Sequence, residues 1–168
     1  MTILIGIGLA AVLLVLGLRC IVNVPAEGAW VVERLGRYDR TLMAGMHVLA
    51  PFIDRVAFRY SLAPVTSETS DLCITRDNVP VRVTSTVRAQ IVDARQAAYA
   101  AEDAGDFVTT LIGTQLRQWI GSRRWDDVRE TTRELGVATL EAAEEPASRI
   151  GVRMLAVDVN GIEREEAR

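Results

Sequence analysis

From Met1 to Leu18 the chain carries no charged side chain. Leu, Ile and Val dominate the stretch, Arg19 interrupts it, and Ile21, Val22 and Val24 extend it. About 20 such residues cross a hydrocarbon core as a helix, and a terminal arginine can snorkel to the interface. The pattern predicts a transmembrane anchor over residues 1–23, ended by Pro25. A cleaved signal peptide is the rival reading. Val24-Pro25-Ala26 would serve as its cleavage site, but the basic leader it needs is missing. Arg19, Arg34, Arg37 and Arg40 follow the span and no basic side chain precedes it, so the positive-inside rule puts the following domain on the cytoplasmic face.

Past the anchor the pattern shortens to strands. Gly28–Leu35 reads as one, with Gly36-Arg37 as a turn, and Asp54–Tyr60 alternates fairly well. Gly45 and Ala50-Pro51 break the stretch between them, and Pro64 resets the chain before Val65–Ser70. The cleanest signal follows. Leu72–Thr75 leads to a polar turn at Arg76-Asp77-Asn78. Then Val79, Val81, Val83, Ser85, Val87, Ala89 and Ile91 alternate with polar residues, which means a half-buried strand with one wet face. Helical spacing takes over at Asp93, which caps a stretch through Ala101. A second helix opens at Asp106 with Phe107, Val108, Leu111, Ile112, Leu116, Trp119 and Ile120 on its apolar side, and Gly121 stops it. A third helix is expected from Trp125 to about Ile150, with Pro146 as a possible break. Its stripe of Val128, Leu135, Ala138 and Ala142 is thin, which places it on the surface. Val152–Val159 reads as a last strand, and Glu163–Arg168 as the start of another helix.

Composition changes this picture little. The apolar share of 49% is inflated by the anchor, and the net charge of −3 offers no basic face for nucleic acid. All 19 basic residues are arginine. The two cysteines, Cys20 and Cys73, form neither a disulfide framework nor a CxxC metal or redox pair.

Candidate chemistry is sparse. His47 is the only histidine, so a metal site or a Ser-His-Asp triad would have to be built on it, and no Gly-x-Ser-x-Gly elbow is present. The adjacent acids Asp126-Asp127, Glu144-Glu145 and Glu102-Asp103 do not face each other on a helix and read as caps and solvated faces. A membrane-bound hydrolase is therefore the weakest of the functional readings. Arg19, Arg37, Arg40 and Arg55 follow the span closely. They would hold the domain on anionic lipid at about 1 kcal/mol per basic residue, blunted by Glu33, Asp39 and Asp54. Pro51, Phe52 and Ile53 are apolar in an expected loop near the membrane, where interfacial insertion and core packing are equal alternatives.

Several ordered words resemble the stomatin/prohibitin/flotillin (SPFH, band 7) superfamily and, within it, the stomatin-like (slipin) branch. They begin with Val24-Pro25-Ala26-Glu27-Gly28 and Val32-Glu33-Arg34-Leu35-Gly36-Arg37-Tyr38. Gly45-Met46-His47, Pro51-Phe52-Ile53-Asp54-Arg55-Val56 and Thr75-Arg76-Asp77-Asn78-Val79-Pro80-Val81 continue the series. Val92-Asp93, Leu116-Arg117 and Ile120-Gly121 complete it. The resemblance runs from Ile21 to Glu163. It implies a membrane scaffold that self-associates, organises lipid microdomains and regulates neighbouring membrane proteins. A narrower reading, also implied by resemblance, is an adaptor or regulator of a membrane-bound protease. Three departures stand out, one being that Ser67–Asp71 is more polar than is usual in the family. The long coiled-coil helix of the family is expected only as a start at 163–168, and Glu144–Gly151 lacks the Pro-Trp-Gly word common before the last strand.

The resulting expectation is an α+β fold: an N-terminal transmembrane helix (1–23), then a curved antiparallel sheet with packed helices. The first subdomain is expected over 24–70 and the second over 71–162. No catalytic residue, cofactor or metal is expected. The expected partners are the lipid bilayer, further copies of the chain and a membrane protease, with no nucleic acid.

Overall fold

The computed structural model describes residues 20–100 and 103–165. Residues 1–19 of the span predicted over 1–23 lie outside them. Among the described residues no helix is long and apolar enough to cross a membrane. The chain divides into two units, one up to Leu62 and one from Ala63 onward.

Among the described residues the first unit has five strands: β1 (Ile21–Val24), β2 (Gly28–Arg34), β3 (Arg37–Leu42), β4 (Gly45–Val48) and β5 (Asp54–Ser61). β1 pairs antiparallel with β4, and β2 lies between β3 and β5. The last residues assigned to the anchor, Ile21–Asn23, are therefore strand rather than helix. Their β-branched side chains suit a pleated ribbon, and Ile21 pairs with Val48 while Val24 turns inward. Val24, Val32 and Leu42 form the buried core of this unit, with Val22, Trp30, Leu49 and Val56 packed around it. Bulges at Val31/Val32 and Val32/Glu33 let β2 serve two neighbours while both valines stay buried.

The second unit has a three-stranded antiparallel sheet in the order β6 (Val65–Ile74), β7 (Pro80–Ile91), β8 (Val152–Arg164). β7 shows the predicted alternation, with Val81, Val83, Ser85 and Val87 buried. The expected single curved sheet is thus three separate sheets among the described residues. Residues 65–70, assigned to the first subdomain, pair with Thr84–Ala89 of β7 and belong to the second. The polar run there has a reason. Thr69 Oγ1 and Ser85 Oγ hydrogen-bond across the ladder at 2.8 Å, both buried.

Among the described residues four helices come between β7 and β8: α1 (Ala94–Ala100), α2 (Ala104–Gly121), α3 (Trp125–Glu130) and α4 (Thr132–Arg149). Asp93 Oδ1 accepts from the backbone N–H groups of Arg95 and Gln96, as expected of a cap. α2 is capped by Asp103, whose Oδ1 accepts from Gly105 and Asp106. Asp106, read as the opening residue, sits in the first turn. α2 buries Val108, Ile112, Leu116 and Ile120 along one face.

The expected single third helix is two. Thr131, at φ −112 and ψ 28, breaks it where β-branched Thr131 and Thr132 follow Glu130. Pro146 does not break α4. The buried stripe of α4 is Leu135, Gly136, Thr139, Ala143 and Ala147, one step round from the predicted one. Gly136 makes the difference: a Cβ there would sit 2.6 Å from the Val157 carbonyl oxygen, so its bare backbone lies directly on β8.

Glu163, expected to open a helix, extends β8 instead. Val81 pairs with Arg164, Glu165 N–H donates to the Pro80 carbonyl, and the Arg82 guanidinium grips the Glu165 carboxylate at 2.9 and 3.0 Å.

Candidate membrane-facing surface

Two turns meet at one end of the first unit. Leu35-Gly36 joins β2 to β3 as a two-residue hairpin turn, with φ of +52 and +78 at its two positions. That is the mirror-image turn that matches strand twist, and it favours Asn or Gly at both places. Leucine in the left-handed region costs roughly 1–2 kcal/mol. The second turn, Pro51-Phe52-Ile53, joins β4 to β5 and closes through Asp54 N–H to the Ala50 carbonyl at 2.9 Å. Phe52 also has positive φ, +69. Leu35 N–H donates to the Ile53 carbonyl at 3.2 Å, which ties the two turns together.

Both strained residues point at solvent. Leu35 is 80% exposed and Phe52 93%, with Ile53 about half exposed beside them. Core packing is thereby excluded for Phe52. The exposed pair Ile21–Val48 lies close by, because Leu49 N–H donates to the Cys20 carbonyl at 2.8 Å. The point where the described chain begins is thus next to the 51–53 turn.

Asp54 holds this end in shape. Its side chain is 1% exposed and accepts from Arg34 Nε at 2.8 Å, Arg40 Nη2 at 3.2 Å and Ala50 N–H at 3.0 Å. The Arg34 hydrogen bond, then the Ala50 N–H, then the charges of both arginines hold its carboxyl well below the usual carboxylate range, against the opposing effect of burial. Arg40 also bonds to Asp39 and to the Val48 carbonyl, so it is a structural arginine here. Arg37 and Arg55 remain exposed on the same strands, and Arg19 lies outside the described residues. Sequence reasoning missed Leu35. The signal was the Leu-Gly pair between two alternating runs, but leucine is a poor turn former and the turn was assigned one residue later.

His47 lies in β4, and its Nε2 contacts the Met43 carbonyl at 2.7 Å. Among the described residues no three His, Cys, Asp or Glu side chains come together as a metal site. Cys73 is buried, and burial, reinforced by the Asp71 carboxylate, pushes its thiol up to about 11. The Thr75–Val79 word is a structural clasp. Thr75 donates to Asp77 at 2.6 Å, Asp77 accepts the Trp125 N–H at 3.1 Å, and Arg76 N–H donates to the Arg123 carbonyl at 2.8 Å.

Residues 22–167 match the SPFH domain / Band 7 family. The chain belongs to that family. Among curated relatives, the band 7 chain is 31% identical over 140 residues to human "Stomatin-like protein 2, mitochondrial", covering 83% of this chain and 39% of that protein. It is 33% identical over 127 residues to "Stomatin-like protein stl-1" of Caenorhabditis elegans, covering 73% of this chain and 39% of the relative. An uncharacterized protein of Schizosaccharomyces pombe matches at 33% over 145 residues, 86% of this chain and 41% of the relative. This band 7 chain thus spans about two fifths of the length of these relatives. The residues matched include both turns of the first unit and the clasp of the second.

Proposed function

We propose that this protein is a membrane-anchored, non-enzymatic scaffold that self-associates and organises the lipids and proteins around it. The apolar segment before Cys20 anchors it on the cytoplasmic face of the cell membrane, and the paired turns rest on the bilayer. The observation that carries the reading is the pairing of exposed Leu35 and Phe52 in strained backbone, beside the point where the chain leaves the apolar segment. Backbone strain retained for two exposed apolar side chains is a functional signature rather than a packing one. Each side chain entering the interface contributes up to roughly 1.5–3 kcal/mol, and Arg37, Arg55 and Arg19 add attraction to anionic head groups. The proposed protein partners are further copies of the chain and neighbouring membrane proteins, a protease among them.

Two measurements on the full chain test this. In nanodiscs, Phe52→Trp is expected to show fluorescence that brominated lipid quenches beyond the parent's own signal. An added signal that stays hydrated and unquenched refutes the docking tip. Light scattering in a mild detergent is expected to give a discrete mass of several chains. A strict monomer at every concentration refutes self-association.

A further inference from the structure

A groove of about 310 Å3 runs between the C-terminal half of α2 and the middle of α4. α2 contributes Gln115, Gln118 and Trp119, the turn after it contributes Arg123, and α4 contributes Ala138 and Thr139. Three features set it apart from an ordinary helix–helix crevice.

The first is the preparation of Arg123. Its guanidinium lies over the Trp119 ring, 3.6 Å from the centroid. Nη1 donates to Ser122 Oγ at 3.2 Å and leans on the Trp119 carbonyl at 3.4 Å. The backbone of Arg123 is held by Ile120 on one side and by Arg76 of the clasp on the other. The Nε and Nη2 edge has no partner among the described residues. A planar fork fixed on an aromatic face with one free edge is the geometry that takes a carboxylate through two parallel hydrogen bonds.

The second is Thr139. It is 1% exposed, and its hydroxyl has no hydrogen-bond partner among the described residues. A buried hydroxyl without a partner costs roughly 1–3 kcal/mol, whereas valine fills the same space without that cost. The third is the charge count. Among the described residues Arg123 is the one charged residue lining the groove, which suits a single negative charge better than a phosphate. Gln115 and Gln118, three apart on α2, each offer a donor and an acceptor, the pairing a peptide backbone requires. Ala138 and Ala142, four apart on α4, leave room opposite.

We propose that this groove binds a short, acidic peptide segment of a partner protein. Its carboxylate sits on the Arg123 fork, its backbone lies along the Gln115 and Gln118 amides, and Thr139 donates to a carbonyl that enters the groove. The site deepens the scaffold reading, giving the protein a way to hold a neighbour, yet it stands without it. A monomer that never touched lipid through its tip would still carry the groove.

The test is an NMR titration of the full chain in detergent, following the Trp119 indole N–H. The probe is an acetylated, amidated pentapeptide of one glutamate flanked by alanines. Its glutamine counterpart and sodium acetate are run beside it. The glutamate peptide is expected to shift the resonance saturably in the millimolar range, with the other two at least about tenfold weaker, one power of ten for the lost fork or the lost backbone. Arg123→Lys keeps the charge, loses the fork and is expected to weaken binding about tenfold. Gln118→Ala, at an exposed position, is expected to weaken it about threefold. Thr139→Val is expected to weaken binding while the unfolding midpoint holds or rises. Equal shifts from the glutamate and glutamine peptides overturn the proposal, as does acetate binding as well as the peptide. A lower midpoint for Thr139→Val with unchanged peptide binding overturns it too, because the hydroxyl would then be serving the fold.

Discussion

Glycine in the middle of a helix is usually a weakness, and replacing it with alanine stabilises by about 1 kcal/mol. Gly136 of α4 is expected to do the opposite. A Cβ there would lie 2.6 Å from the Val157 carbonyl oxygen and 3.7 Å from its carbon. Val157 is locked in the ladder with Val87 of β7, so its carbonyl cannot swing aside. Ordinary contact begins near 3.4 Å, so α4 must lift by roughly 0.8 Å, loosening Leu135, Thr139 and Ala143 as it goes. Such overpacking costs about 1–3 kcal/mol. After the helix-propensity gain, Gly136→Ala is expected to be neutral at best and up to about 2 kcal/mol less stable. Gly136→Val, with its second branch, is expected to be clearly worse. Two other glycines of the same unit calibrate the result. At Gly121 the nearest atom is 3.6 Å from the added Cβ, an ordinary contact, so Gly121→Ala is expected to stabilise slightly. At Gly113 the Cβ would meet the Asp71 carboxylate, a side chain that can rotate away at the cost of its exposed bond to Arg117. Gly113→Ala is expected to fall between the other two. The assay is urea unfolding followed by circular dichroism at 222 nm, with unchanged slope as the check on a common mechanism. A Gly136→Ala protein more stable than its parent refutes the close approach of α4 to β8.

Leu35→Asn is expected to stabilise the first unit by about 1 kcal/mol, because asparagine tolerates the left-handed turn, while weakening lipid contact in the nanodisc assay. Asp103→Ala is expected to cost about 1 kcal/mol through the lost cap on α2, read from the same urea curves. Asp54 has a folded-state pKa below its unfolded one. Its stabilisation is complete at neutral pH and disappears as the pH falls through the folded value. The advantage of the parent over Asp54→Asn, followed by Trp30 fluorescence in a background with Trp119 and Trp125 replaced by phenylalanine, is expected to shrink below the ordinary carboxylate range. A gap that widens on acidification contradicts the assignment. Cys73 is expected to ignore a disulfide reagent at neutral pH until the chain is unfolded, since only the thiolate reacts.

The parts of the fold legible in the sequence are those where one period runs unbroken. The β7 alternation and the apolar face of α2 each repeat long enough to fix both type and orientation. β8 was harder. Its ladder shifts register twice, at Thr84/Ser85 and at Arg88/Ala89, and its last residues are charged, so the strand signal fades before the strand does. The stripe of α4 was misplaced because its closest contact is made by a residue with no side chain. Periodicity counts hydrophobic atoms, and Gly136 has none to count. At the end of the first unit where the two turns meet, Phe52 and Ile53 were legible as an apolar loop, but Leu35 was not. Its place is set by strand pairing with β5, which brings distant turns together, and not by any local preference of leucine. Asp54 was legible as an acid that blunts the nearby arginines, and the fold adds that it holds Arg40 directly, at 3.2 Å.

The three-stranded sheet also dictates an order of events. β7 ends at Ile91 and β8 begins at Val152, so neighbours in space are separated by the entire helical insertion. β6 and β7 meet across a short turn and can zip locally, on the microsecond scale of a hairpin. β8 cannot join them until a loop of some sixty residues has been closed, an entropic debt that shrinks only as the insertion organises itself. The helices are then a folding scaffold for the sheet as much as a cover for it. Damage at Gly136 or Asp103 should appear in the folding rate of a strand that neither residue belongs to.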